Sequence, residues 1–244
     1  METSMPIIYW EKLESVAIIT MDNDENRHNP DFADAFNALL TSIQEDTSVT
    51  AVVLTSKSPK FWSLGIDVDW IGVQMQNQSF ENIKGFMYGM NAVFRKLLLF
   101  PVPVIAAING HAFGNGAILA CACDFRFMKA DRGYFCFPEV DLGIPFLPGM
   151  IEIIKKSIPY YKLNELKLTG KRAGADELHV HHVIEKASPD ADALMADVLL
   201  FARGFNKKRG IFAEHKRRLH KHIVNTMEHE DPKFIEPMFL FVSD

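Results

Sequence analysis

The sequence predicts an α/β fold: a core in which buried strands alternate with helices, followed by a helical tail. Three observations carry this expectation. Residues 102–108 form a short, near-continuous apolar run, the pattern of a strand buried on both faces. That run passes through Asn109-Gly110 and a turn containing Gly114 and Gly116 into a second apolar run at 117–123, giving the order strand, turn, helix. Strand-like and helix-like segments alternate through the first two thirds of the chain, and only helices follow.

The elements follow in order. Residues 7–9 and 16–20 are short apolar runs around E-K-L-E-S and read as an antiparallel hairpin. The polar stretch D-N-D-E-N-R-H-N-P is a loop, and it ends in a helix start. Asn29 is the cap, Pro30 takes the first helical position and Asp31 follows. Phe32, Phe36, Leu39, Leu40 and Ile43 then recur at helical spacing. Residues 51–55 are the next buried strand. The segment 57–69 reads as a loop in which Gly65 permits an unusual turn, with Asp67 and, further on, Asp141 as hydrogen-bonders or helix starts. A long helix over 80–100 gathers Phe80, Ile83, Phe86, Met87, Met90, Val93, Phe94 and Leu97 on one face, and Pro101 ends it. Short strands at 125–128 and 134–137 follow, then helices at 151–158 and 161–168. A helical turn from Ala175, a small strand at Val183-Ile184 and amphipathic helices at 190–205 and 211–227 complete the chain.

Composition excludes several classes of function. With 26 Lys and Arg against 31 Asp and Glu, the formal charge of −5 gives no overall attraction to nucleic acid or an anionic membrane. No apolar run reaches the roughly 18 residues that cross a bilayer. The first residues, M-E-T-S-M-P, lack the basic and apolar regions of a signal peptide, so a cytoplasmic protein is expected. Cys121, Cys123 and Cys136 lie in apolar contexts and read as reduced, buried thiols without metal-ligand spacing.

Two stretches carry chemistry. The turn between 108 and 117 leaves free N–H groups at a helix N-terminus, where developing negative charge can be received. Further on, F-P-E-V-D-L-G places Glu139 among apolar neighbours. Such a carboxylate is either a surface acid at a strand end or, once burial raises its pKa, a general base. Oxyanion donors and a carboxylate base together suit enolate chemistry. His111, beside the turn, reads as a packed or hydrogen-bonded histidine, with substrate contact as the alternative.

The motifs F-W-S-L-G-I-D at 61–67, P-V-I-A-A-I-N-G-H-A-F-G-N-G at 103–116, C-D-F-R-F at 123–127, F-P-E-V-D-L-G-I at 137–144 and L-T-G-K-R-A-G-A-D-E at 168–177 occur in this order. Together they resemble the crotonase, or enoyl-CoA hydratase/isomerase, family over residues 7–187. The resemblance implies a spiral of ββα units at 1–187 and a C-terminal helical trimerisation region at 188–244. It implies an acyl-CoA thioester substrate, no metal, no cofactor beyond the coenzyme A of the substrate itself, and a homotrimer or a dimer of trimers. The thioester oxygen would lie between the N–H groups of Ile66, after Gly65, and Asn115, between Gly114 and Gly116. Arg27 stands where the family has basic residues near the coenzyme A diphosphate. The basic run at 207–222 reads as a solvated helix face or an attractor of the coenzyme A phosphates, and His179, His181 and His182 fall at a helix end on the surface.

Departures from the family pattern narrow the expectation. Hydratases of the family carry two glutamates, and here the first position is Ile118 while the second is Glu139. Hydration needs water activated and a proton delivered at neighbouring carbons, which two carboxylates do well. Moving a double bond needs one proton taken from C2 and returned at C4, which one carboxylate can do. This pattern resembles the family's Δ3,Δ2-enoyl-CoA isomerases, as does G-I-D-V at 65–68. The alternatives are a hydratase using Glu139 with a second acid such as Glu152, or a catalytically silent acyl-CoA-binding protein. Asn115, where glycine is usual, and the altered P-G-M-I-E-I at 148–153 favour the latter.

Overall fold

The computed structural model describes residues 6–242; residues 1–5, the bulk of the M-E-T-S-M-P stretch, lie outside the described residues, as do 243–244. β1 (Ile8–Leu13) and β2 (Val16–Met21) form the expected antiparallel hairpin. β3 (Arg27–His28) leads into α1 (Pro30–Glu45), where the Asn29 side chain accepts from the Phe32 N–H. β4 (Ala51–Ser56) is buried at every position.

The stretch 57–69 is more ordered than a loop. It contains β5 (Phe61–Ser63) and β6 (Gly65–Ile66), and Asp67 caps α2 (Val68–Gln76) by accepting from the Trp70 N–H. Only Ile71 of α2 is buried, so that helix has too thin an apolar stripe to declare itself in sequence. α3 (Phe80–Leu99) buries the face expected of it, and β7 (Val104–Ile108) is buried throughout. β8 (His111–Phe113) enters α4 (Asn115–Ala122), which begins at Asn115 rather than Ala117 because Gly114 turns the chain. After β9 (Phe125–Lys129) and β10 (Phe135–Cys136), α5 (Glu139–Leu142) places Glu139 on a short helix instead of a strand end.

α6 (Pro148–Ser157), α7 (Tyr160–Thr169) and α8 (Ala175–Val180) follow, α7 stopping at the left-handed Gly170. The strand expected at Val183-Ile184 lies instead at β11 (Lys186–Ser188). Arg126 Nε takes the Val183 carbonyl at 2.8 Å and both residues are buried, so pairing with β9 begins only at Lys186. α9 (Ala191–Arg203) follows. The single helix expected over 211–227 is broken at His220, with φ −98 and ψ 8, into α10 (Arg209–Leu219) and α11 (Lys221–His229). The break lets each half face its own partner. Lys216 of α10 reaches Asp124 and the Leu97 carbonyl, while Ile223, Val224 and Met227 of α11 are buried where it packs on α6. α12 (Pro232–Ile235) is a last short helix.

The strands build a large sheet in the order β1-β2-β4-β7-β9-β11, parallel from β2 onward, and a small parallel sheet β10-β8-β5. β3 pairs with β6. Three successive turns of chain each give a strand to the large sheet, a strand to the small sheet and then a helix: β4–β5–α2 (with β6 between β5 and α2), β7–β8–α4 and β9–β10–α5. This is a crotonase-type spiral of ββα units. Period-two alternation makes the large sheet apolar on both faces. Val52, Leu54, Val104 and Ala106 join the main core, whereas Ala51, Val53, Ile105 and Ala107 face α9.

Candidate active site

The three strands of the small sheet are parallel, so they end on the same side, the side on which ligands gather in parallel sheets. Each is followed almost at once by a predicted site group. β5 leads to Ile66, β8 to Asn115 and β10 to Glu139, and β8 is the middle strand. A local pattern in three distant stretches thus becomes one cluster.

Two glycines make the approach possible. Gly65 has φ +80, and a Cβ there would lie 2.7 Å from the Phe113 carbonyl oxygen and 2.8 Å from the Asn115 nitrogen. The two turns therefore meet backbone to backbone. Gly114 has φ +53, and a Cβ on it would run into Oε1 of Glu139. Gly116, next along, packs on Ser63. Asn115 is the first residue of α4, so its N–H belongs to those a helix leaves without an intrahelical partner. That end of the helix also carries the positive pole of its dipole.

Ile66, Asn115, Ile118 and Glu139 line one cavity of ≈ 340 Å³. The rest of its wall is apolar and includes Ile71 and Met75 of α2, Met87 of α3, Phe146, and Leu240 with Phe241. Among the described residues that line it, Glu139 alone can ionise. Glu139 is 9% exposed, and its Oε2 is buried without a hydrogen-bond partner among the described residues. Burial pushes its pKa up to about 7, against a smaller lowering by a backbone hydrogen bond and by the charge of Lys167. Lys167 stands over the Phe146 ring, 3.9 Å from its centroid.

Behind the turns lies a buried polar chain. His28, with no exposed surface, places Nε2 2.9 Å from Ser63 Oγ and Nδ1 2.9 Å from Asn115 Nδ2. Ser63 Oγ donates to the Asn26 carbonyl at 2.8 Å and accepts from the Gly65 N–H at 3.1 Å. Burial pushes the His28 pKa down to about 3, and its ring stacks on Phe32 with centroids 4.4 Å apart.

The other predicted residues stand outside the cavity. Arg27 pairs with Gly65 across the β3–β6 ladder, and its guanidinium is held by Glu25 at 2.6 Å. His111 accepts from the Tyr134 N–H at 3.2 Å and packs against Tyr134, Phe61 and Phe113. Glu152 accepts from Lys155 at 2.7 Å and is not among the residues lining the cavity. Sequence reasoning missed His28 and Ser63, and it missed the α2 and C-terminal walls.

Residues 11–237 match the enoyl-CoA hydratase/isomerase family, and the chain belongs to that family. Members of the family act on acyl-CoA thioesters. The chain is 27% identical over 234 residues to enoyl-CoA delta isomerase 2, peroxisomal, of Arabidopsis thaliana, which covers 93% of this chain and 98% of that one. It is 32% identical over 171 residues to a short-chain-enoyl-CoA hydratase of Clostridium acetobutylicum, covering 68% of this chain and 63% of the relative. Among solved structures, an enoyl-CoA hydratase/isomerase family protein from Pseudomonas syringae superposes with a TM-score of 0.85 at 21% identity, over 95% of this chain and 98% of the other.

Proposed function

We propose that the protein is a Δ3,Δ2-enoyl-CoA isomerase. The observation that carries this reading is the single ionisable group: Glu139 alone can titrate among the described residues lining the cavity, and Ile118, which cannot, lines the same cavity. One carboxylate suffices to move a double bond, whereas hydration calls for two. In this reading the thioester oxygen is received by the N–H groups of Ile66 and Asn115. Ionised Glu139 takes a proton from C2 of a 3-enoyl thioester, and the electron pair moves onto the oxygen as an enolate. These donors are aimed at the charge as it develops, which lowers the barrier to that step. The enolate then collapses, C2=C3 forms as C3=C4 is lost, and Glu139 returns the proton at C4. A base with a pKa of about 7 is matched to both halves of the exchange.

The apolar wall takes the acyl chain, and Arg27 and His111, outside the cavity, are assigned to the coenzyme A part of the substrate. The reaction moves one proton and is redox-neutral, so it asks for no further cofactor. The Arabidopsis relative bears the delta isomerase name and supports this reading. The test supplies 3-enoyl-CoA and 2-enoyl-CoA separately and follows the conjugated thioester by ultraviolet absorbance. The 3-enoyl substrate should gain the chromophore, and Glu139→Gln should slow that gain by roughly 10²–10⁴-fold. Rapid loss of the 2-enoyl chromophore to a 3-hydroxyacyl product, with the 3-enoyl substrate untouched, would sink the isomerase reading in favour of hydration. Silence across a panel of chain lengths would leave a binding protein without catalysis.

A further inference from the structure

We infer that His28 is a positioning residue that braces both oxyanion turns against each other. It is the group whose ring nitrogens reach side chains from both: Ser63, which leads into Gly65 and Ile66, and Asn115, which opens α4. The hydrogen positions follow from the partners. Ser63 has one hydroxyl proton and gives it to the Asn26 carbonyl, an acceptor only. Its lone pairs then receive the Gly65 N–H and, necessarily, an Nε2–H from His28. That leaves His28 Nδ1 bare, and it accepts from Asn115 Nδ2. The Asn115 carboxamide is thereby fixed in one orientation, and with it the residue whose backbone N–H faces the substrate oxygen. Gly65 is fixed from the other side through the same hydroxyl.

A plain core histidine would need only to fill space against Phe32, and a second aromatic ring would do that. Here the same ring also gives Ser63 Oγ a third partner and supplies the acceptor for the buried Asn115 side-chain amide, which would otherwise be orphaned. Burial keeps the imidazole neutral, with its pKa down at about 3, so the brace persists wherever the enzyme works.

The rate measurement rests on the isomerase reading above; the spectroscopic one does not. Glutamine at 28 can still reach Ser63 with its amide but presents nothing at the Nδ1 position, whereas asparagine offers an acceptor there. His28→Gln should therefore lower kcat by roughly 10–100-fold, the cost of a misplaced donor, with KM little changed. His28→Asn should recover most of the rate. In an Asn115→Gly background His28→Gln should cost nothing further, because its partner is gone. Equal losses in the Gln and Asn variants, or an undiminished loss in the Asn115→Gly background, overturn the proposal.

The second readout uses cinnamoyl-CoA, whose absorbance moves to longer wavelength when its carbonyl is hydrogen-bonded. The wild-type protein should shift the bound probe, and His28→Gln should bind it with most of that shift lost. A shift retained in His28→Gln, or absent from the wild type, overturns the brace. A wild-type shift that disappears in His28→Gln, in a protein with no isomerase turnover, upholds the brace and removes the isomerase reading instead. Ser63→Ala cuts the same chain from the other side and takes the place of His28→Gln should that variant not fold by circular dichroism.

Discussion

At the residue scale, Glu139 and His28 are both shifted by burial, and in opposite senses for stability. Glu139 moves from 4.5 to about 7. The proposed base must be ionised to act, so kcat/KM should rise with pH through about 7 and then level off; a pH–rate profile flat from 5 to 9 would contradict the role proposed for it. The same shift acts on folding. Between 4.5 and about 7 the unfolded chain releases a proton that the folded one keeps, so stability falls as pH rises. Glu139→Gln removes that loss. The variant should match the wild type near pH 4.5 and exceed it at pH 8 by up to about 3 kcal/mol, measured by urea unfolding. His28 runs the other way. Its folded pKa, about 3, lies below 6.5, so its contribution is complete above 6.5 and is lost as pH falls toward 3.

At the element scale, α4 joins the site to a buried charge cluster at its far end. Its last carbonyls do not face solvent. The Cys123 carbonyl receives Lys156 Nζ at 2.8 Å and Arg126 Nη1 at 3.1 Å, and the Cys121 carbonyl receives Ser157 Oγ at 2.8 Å. Cations at this pole complement the dipole whose opposite pole opens at Asn115 on the cavity. Beside them Lys216, 4% exposed, bonds Asp124 at 2.7 Å. Lys216→Met leaves Asp124 without its cation and should cost about 3 kcal/mol in urea unfolding, with part regained when Asp124→Asn is added. Elements of this kind differ in how far sequence announces them. α1, α3 and β7 were legible because cap, stripe or unbroken apolar run is local information. α2 was not, since it buries one residue, and neither was the break at His220, which answers to two separate partners. The site divides in the same way. Gly65, Gly114 and Glu139 stand in local motifs, but the His28 brace ties positions 28, 63 and 115, and nothing in the polar loop around His28 foretells it.

At the scale of the whole molecule, large apolar side chains remain on the outside of the C-terminal helices: Leu200 is 73% exposed, Ile211 55% and Leu219 75%. We propose that they are covered in a homotrimer or a pair of stacked trimers, and light scattering at micromolar concentration should give at least three times the 27.7 kDa chain mass. A monomer there would refute the assembly. No helix among the described residues is long and apolar enough to cross a membrane. The arrangement of the site on three strand ends has a consequence for how this protein can diversify. In the proposed reading the donors and the base are indexed to β5, β8 and β10, while most of the apolar wall assigned to the acyl chain comes from α2, α3 and residues 144–150 and 240–241. Chemistry and substrate size therefore occupy separately mutable parts of the chain. Selection, or a designer, can widen or shorten the wall without disturbing the register that sets the reaction.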